Sequence, residues 1–100
     1  MGYARPVNFI FSGPIWYWRG PAPFYFISVP EGESAEIKRM EKELSYGWGC
    51  ITVRAKIGDT EFNTALIPKD GLYSLPIKAV VRSAESLSEG DSPQVQLWLG

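Results

Sequence analysis

Histidine does not occur in this chain, and cysteine occurs once, at Cys50. Without histidine, no Ser–His or Cys–His nucleophile pair can be assembled. One thiol cannot supply the Cys and His ligands that a zinc or other transition-metal site requires, nor an internal disulfide framework. No stretch approaches 18 apolar residues and no basic-headed apolar segment opens the chain, so neither a membrane span nor a secretion signal is read. The expected compartment is the reducing cytoplasm, where a lone thiol in a strand serves as a small apolar filler. An excess of charge of one sign is also lacking: the net charge is −1. Overall charge therefore gives no pull toward nucleic acid or anionic lipid. Gly47-Trp48-Gly49 and Gly58-Asp59 are turns without a Walker or dinucleotide spacing, and the carboxylates lack EF-hand spacing. No metal and no cofactor is expected.

What is present is a large apolar complement. Hydrophobic residues make up 45% of the 100 residues and aromatics 14%, which suffices for one core and one domain without staples. Residues 1–6 read as a loosely held segment and 7–100 as a single domain. Val7–Ser12 and Ile15–Arg19 are aromatic and β-branched, broken by Ser12-Gly13-Pro14, and read as two strands or one bent strand. Gly20-Pro21-Ala22-Pro23 is a stiff turn, and Phe24–Val29 is a strand stopped by Pro30. From Ser34 to Leu44 the period becomes helical, with Ala35, Ile37, Met40 and Leu44 on one face and Ser34 or a neighbour as cap.

Cys50–Ile57 and Thr60–Ile67 alternate around Gly58-Asp59, the chemistry of a two-residue hairpin turn. That turn predicts the pairs Ile57–Thr60, Ala55–Phe62, Val53–Thr64 and Ile51–Leu66 on a mostly apolar face. Lys56–Glu61 and Arg54–Asn63 fall on the solvated one. Pro68-Lys69-Asp70-Gly71 reads as a turn and Leu72–Leu75 as a short extended piece. Pro76 fits the first position of a second helix with Ile77, Val80, Val81, Ala84 and Leu87 buried. Glu89-Gly90-Asp91 ends that helix, and Gln94–Leu99 is a last strand with Pro93 at its start or edge. Six or so strands with frequent turns favour a closed or half-closed barrel.

A spaced string of residues then adds to that reading. It runs Val29-Pro30, Gly47-Trp48-Gly49, Val53-Arg54-Ala55, Phe62 through Pro68, Asp70 through Lys78, Arg82 and Gly90-Asp91. Over about residues 24–99 it resembles a family of small prokaryotic β-barrel domains catalogued as a domain of unknown function. Its members stand alone or precede a YdeI/OmpD-associated segment, and this sequence carries no such segment. The resemblance implies a mainly β fold, a small closed six-stranded Greek-key-like barrel with two short helices, and no established activity. Ala65 stands where serine is common, and Pro93 where an apolar strand residue is usual. Leu75-Pro76-Ile77 through Arg82 to Gly90-Asp91 is also similar to the strand–helix–Gly-Asp–strand unit of AbrB-type swapped-hairpin DNA-binding proteins.

Three functions are open to such a barrel. Trp16 and Trp18 share one strand face while Ile15 and Tyr17 share the other, and Phe24 and Phe26 oppose Tyr25 and Ile27. One face fills the barrel; the other meets the first helix, another chain or a ligand. Trp16, Trp18, Phe24, Phe26 and Trp48 are thus the candidate surface for a small ligand, a peptide or self-association. Arg54, Lys69, Lys78 and Arg82 are candidate anion contacts, with Arg82–Asp91 and Lys78–Asp70 ion pairs as the plainer expectation. Nucleic-acid binding of the AbrB-like kind would use Arg54, Lys78 and Arg82, and net charge argues against it. A small hydrolase or isomerase would need Thr64 or Ser74 beside a desolvated Lys69 or Lys78, with Arg82 at the barrel mouth. Asp59 with Glu61, and Glu89 with Asp91, are carboxylates that hairpin pairing and turn formation already explain.

Overall fold

The computed structural model describes residues 8–21, 24–41 and 50–99. The expected loose segment 1–6, together with Leu44 and Trp48, lies outside them. Among these residues the fold is mainly β: seven strands curl into an open half-barrel carrying two short helices. The strands are β1 Phe9–Ser12, β2 Ile15–Trp18, β3 Phe24–Ser28, β4 Ile51–Ile57, β5 Thr60–Lys69, β6 Leu72–Pro76 and β7 Gln94–Leu99. Helix α1 is Glu31–Arg39, and the second, α2, is Ala79–Ala84.

Hairpin β4–β5 has the register that alternation around Gly58-Asp59 predicts, from Ile57↔Thr60 to Ile51↔Leu66. Gly58 takes φ +59° at the first central position, which a residue with a Cβ adopts only under strain. Ile51, Val53, Ala55, Ile57 and Leu66 are buried, and Phe62 is packed against them. Beyond Leu66, β5 changes partner and pairs with β6 through Ile67↔Ser74, Pro68↔Tyr73 and Lys69↔Leu72. Pro68 and Lys69 are therefore strand residues. The turn is Asp70-Gly71 alone, both with positive φ, as a tight hairpin between twisted strands demands.

The sheet order is β1-β7-β4-β5-β6-β3-β2, all antiparallel. The six-stranded closed form differs from this arrangement in strand count, and no ladder joins the terminal strands β1 and β2 among the described residues. Those two strands are instead consecutive in the chain, separated only by Gly13-Pro14. Gly13 eases the crossing, since a Cβ there would sit tightly, 3.3 Å from Ile27 Cγ2 and 3.4 Å from Ser28 O. Ile15 then donates its N–H to Asp91 O and accepts from Gly90 N, each at 2.8 Å. The bend is thereby tied to the turn that leads into β7.

The core lies on the concave side. Ile15, Ile27, Val29, Leu75, Ile77, Val95 and Leu97 join the β4–β5 residues there, and Ile37 and Val81 cap it from the helices. Each such side chain contributes roughly 1.5–3 kcal/mol of burial.

Both helices depart from expectation. Pro76 is the last residue of β6, paired with Phe26, rather than the first residue of a helix. The next amide, Ile77 N–H, is held by Tyr25 O at 2.9 Å, so the chain is still bound to β3 and cannot coil. The helix starts at Ala79, and its six residues bury only Val81, while Val80 is 71% exposed and Ala84 lies in solvent. Helix α1 begins at Glu31, three residues earlier than its period suggests, with Pro30 at the N-cap. Ala35 is exposed, and Ser34 is no cap: it is buried. Its hydroxyl donates to Val29 O at 2.9 Å and accepts from Tyr73 N at 3.1 Å. Since Val29 N–H already bonds Tyr73 O, the serine oxygen replaces one rung of the β3–β6 ladder. Among the described residues no helix is long and apolar enough to cross a membrane.

Candidate functional site

The register of β2 with β3 sorts their aromatic residues by face. Trp16↔Phe26 and Trp18↔Phe24 share the convex side, while Ile15↔Ile27 and Tyr17↔Tyr25 share the concave one. On the convex side Phe26 is the hub. Its ring centre lies 5.1 Å from Trp16, 5.7 Å from Phe24 and 6.4 Å from Trp18, in tilted and edge-on arrangements. Such contacts add about 0.5–1.5 kcal/mol per pair beyond burial. Trp16 Nε1 donates to Ser28 Oγ at 3.0 Å, which fixes that indole. Helix α1 packs against β6 and leaves Trp18 37% exposed. The same face carries Ile67, 39% exposed, and the Lys69 ammonium stands 5.6 Å from the Trp18 ring centre. Gly20 lies against the Trp18 ring, where a side chain would collide with it.

On the concave side the row that begins in the core continues outward to Tyr17 and Tyr25, whose rings are 4.8 Å apart. The Arg82 guanidinium sits over Tyr25 at 3.9 Å, and that of Arg19 over Tyr17 at 5.5 Å. Arg82 Nε donates to Ile77 O at 3.3 Å, and Lys78 Nζ to Asn63 O at 3.1 Å.

The four basic residues singled out by sequence do not converge. Arg54 is on the solvated face of β4 and pairs with Glu61 at 3.3 Å. Lys69 is beside Trp18, 3.8 Å from Asp70. Only Lys78 and Arg82 lie together. Neither forms the expected ion pair: Asp91 accepts Ser88 N–H at 2.8 Å and closes its own turn, while Asp70 stands by Lys69 and Lys78 turns to Asn63 O. Thr64 is half-buried and Ser74 buried, and among the described contacts neither hydroxyl bonds Lys69 or Lys78. Arg19, Tyr17 and Tyr25 had no place in the predicted anion set. The signal that could have found them is the β2–β3 register, which the Gly-Pro-rich turn left undefined.

Among the described residues, two grooves are found beside the sheet. One of about 380 Å³ is lined by Lys56, Gly58, Glu85, Leu87, Gln94 and Gln96, among others. Its carboxylate is already used: Glu85 accepts Thr60 Oγ1 at 2.6 Å and Asp59 N at 3.2 Å, bracing the β4–β5 turn from α2. The other, about 350 Å³, lies between α1 and β6 and includes Lys38, Leu72 and Tyr73. Burial, and then the hydrogen bond to Glu41, push the Tyr73 phenol up to about 12. Glu41 is held below the usual carboxylate range by its hydrogen bonds from Lys38 and Tyr73. A phenol so raised is a poor proton donor near neutrality, and this arrangement serves as a latch between α1 and β6. Among the described residues no three Cys, Asp or Glu side chains group closely enough to hold a metal ion.

Compared with known families, residues 11–97 match the one described as "Domain of unknown function (DUF1905)". No curated protein matches the chain.

Proposed function

We propose, for a chain that belongs to the DUF1905 family of domains of unknown function, the role of a non-catalytic interaction module whose convex aromatic face docks a polypeptide partner. The observation that carries this reading is the exposure of Trp18 and of Ile67 on one face of the sheet, with α1 packed against β6. Indole rings held rigidly by Phe26 and Ser28 lose little conformational freedom on binding, which is why such residues dominate interface energetics. Lys69 above Trp18 supplies a cation at the rim and favours a partner segment that mixes apolar with acidic residues.

The reading includes the closed form of the barrel. Counting β1 and β2 as one strand bent at Gly13-Pro14 leaves six, and the Ile15 bonds to Gly90 and Asp91 support the seam. A reducing compartment suits the single thiol of Cys50.

Light scattering after gel filtration, with tryptophan fluorescence against a peptide library, tests the docking face. Wild type should self-associate or respond to apolar-acidic peptides, and Trp18→Ser should abolish the response while keeping the fold. A strictly monomeric wild type whose fluorescence ignores every peptide would sink the proposal.

A further inference from the structure

The described basic residues form four ion pairs, Lys38–Glu41, Arg39–Glu36, Arg54–Glu61 and Lys69–Asp70. Arg19, Lys56, Lys78 and Arg82 take part in none of them; Arg19 and Arg82 rest on Tyr17 and Tyr25, and Lys78 is one helical turn before Arg82, whose backbone N–H bonds Lys78 O at 3.0 Å. Arg82 is the informative one. Its guanidinium is half-buried, laid on the Tyr25 ring and fixed in rotation by the bond from Nε to Ile77 O. A stacked guanidinium anchored through Nε keeps its two terminal nitrogens for a planar acceptor. No carboxylate or carbonyl among the described residues takes them. No side-chain nitrogen among the described residues is buried without a partner, so these two terminal nitrogens are open to a ligand arriving from solvent. Lys78 is exposed, four residues before Arg82, and its ammonium spends one of three donors on Asn63 O. Arg19, over Tyr17, adds a third positive charge at the outer end of the stack.

We propose that Arg82 and Lys78, with Arg19 at the rim, form a binding site for a phosphate-type oxyanion carried by a small molecule. Two fixed cations plus a third nearby match a dianion better than a single carboxylate, and the Arg fork accepts two of its oxygens side by side. The basic residues of β4 and β5 do not extend the site into a track, because Arg54 pairs with Glu61, Lys56 lines the groove at Gly58 and Lys69 stands over Trp18. That favours a small phosphate ester over a nucleic-acid backbone. The site lies on the opposite face of β2 and β3 from the proposed docking surface and stands independently of it.

The test is an NMR titration of the intact, isotope-labelled chain with inorganic phosphate and, separately, phenyl phosphate, following the Arg82 Nε–H resonance. A saturable shift is expected, with affinity falling about tenfold in Arg82→Gln and severalfold in Lys78→Gln, since each removes charge-assisted hydrogen bonds. Arg54→Gln should leave it unchanged. Should Arg82→Gln fail to fold, Lys78→Gln carries the same test, its side chain being exposed. The proposal is overturned if Arg82 ignores both phosphates, or if Arg54→Gln weakens binding as much as Lys78→Gln. It is equally overturned if only a single-stranded oligonucleotide binds, with the steep salt dependence of a backbone contact.

Discussion

Replacing Ser34 by alanine removes one oxygen atom and should cost more stability than any exposed substitution in this protein. The hydroxyl bridges Val29 O and Tyr73 N within the β3–β6 ladder, at 2.9 and 3.1 Å, and the serine is 3% exposed. Truncation leaves a buried acceptor and a buried donor without partners, each worth about 1–3 kcal/mol. The two groups face one another, so the strands can draw together and recover part of the loss, at the expense of the seat of α1. The net expectation is about 2–3 kcal/mol. In a chain of 100 residues, that corresponds to a melting temperature lower by roughly 8–24 °C. Urea unfolding followed by tryptophan fluorescence gives the free energy from the midpoint, provided the slope is unchanged. Hydrogen exchange at the Tyr73 amide supplies an independent readout, since it should lose protection well before the β4–β5 amides do. A Ser34→Ala protein within about 0.5 kcal/mol of wild type, with the Tyr73 amide still protected, would refute the idea that the serine substitutes for a ladder bond.

Other outcomes follow from the same geometry. The Tyr73 phenol is raised to about 12 from an ordinary 10, so the folded state keeps a proton that the unfolded chain releases. That stabilisation is complete below pH 10 and is lost as pH climbs through about 12. Discounted for the contact of the hydroxyl with solvent, it amounts to about 1–2 kcal/mol. The difference in stability between wild type and Tyr73→Phe should shift by that amount across the window in denaturant titrations, and a flat difference would contradict the latch. Gly58→Ala should cost about 1–2 kcal/mol, because it forces a side chain into φ +59° and against Glu85; an unchanged urea midpoint would count against the turn assignment. Ile27→Ala, at a site with 0% exposure, should cost about 2–5 kcal/mol. Val80→Ser should fall within about 0.5 kcal/mol of wild type, and a large loss there would mean that α2 presents Val80 to the core.

The β4–β5 hairpin was legible because everything that specifies it is local. A two-residue turn locks the register, and a period of two then assigns every side chain from Ile51 to Leu66 to a face. The aromatic faces of β2 and β3 were legible for the same reason of parity, as was the exclusion of histidine-based catalysis, which needs only a residue count. The DUF1905 match over residues 11–97 agrees with the family resemblance carried by the motif string. Long-range pairing decided the rest. Pro76 looks like a helix start until β3 claims the Ile77 amide, and Ser34 looks like a cap until Val29 and Tyr73 claim its hydroxyl. Arg82 came to rest on Tyr25, and Tyr25 beside Tyr17, only because β3 lies between β6 and β2 in the sheet. Turn chemistry and side-chain alternation act over a few residues and can be read along the chain. Which strand lies beside which, and so which charge rests on which ring, depends on contacts between segments far apart in sequence, and these exist only once the sheet has curled.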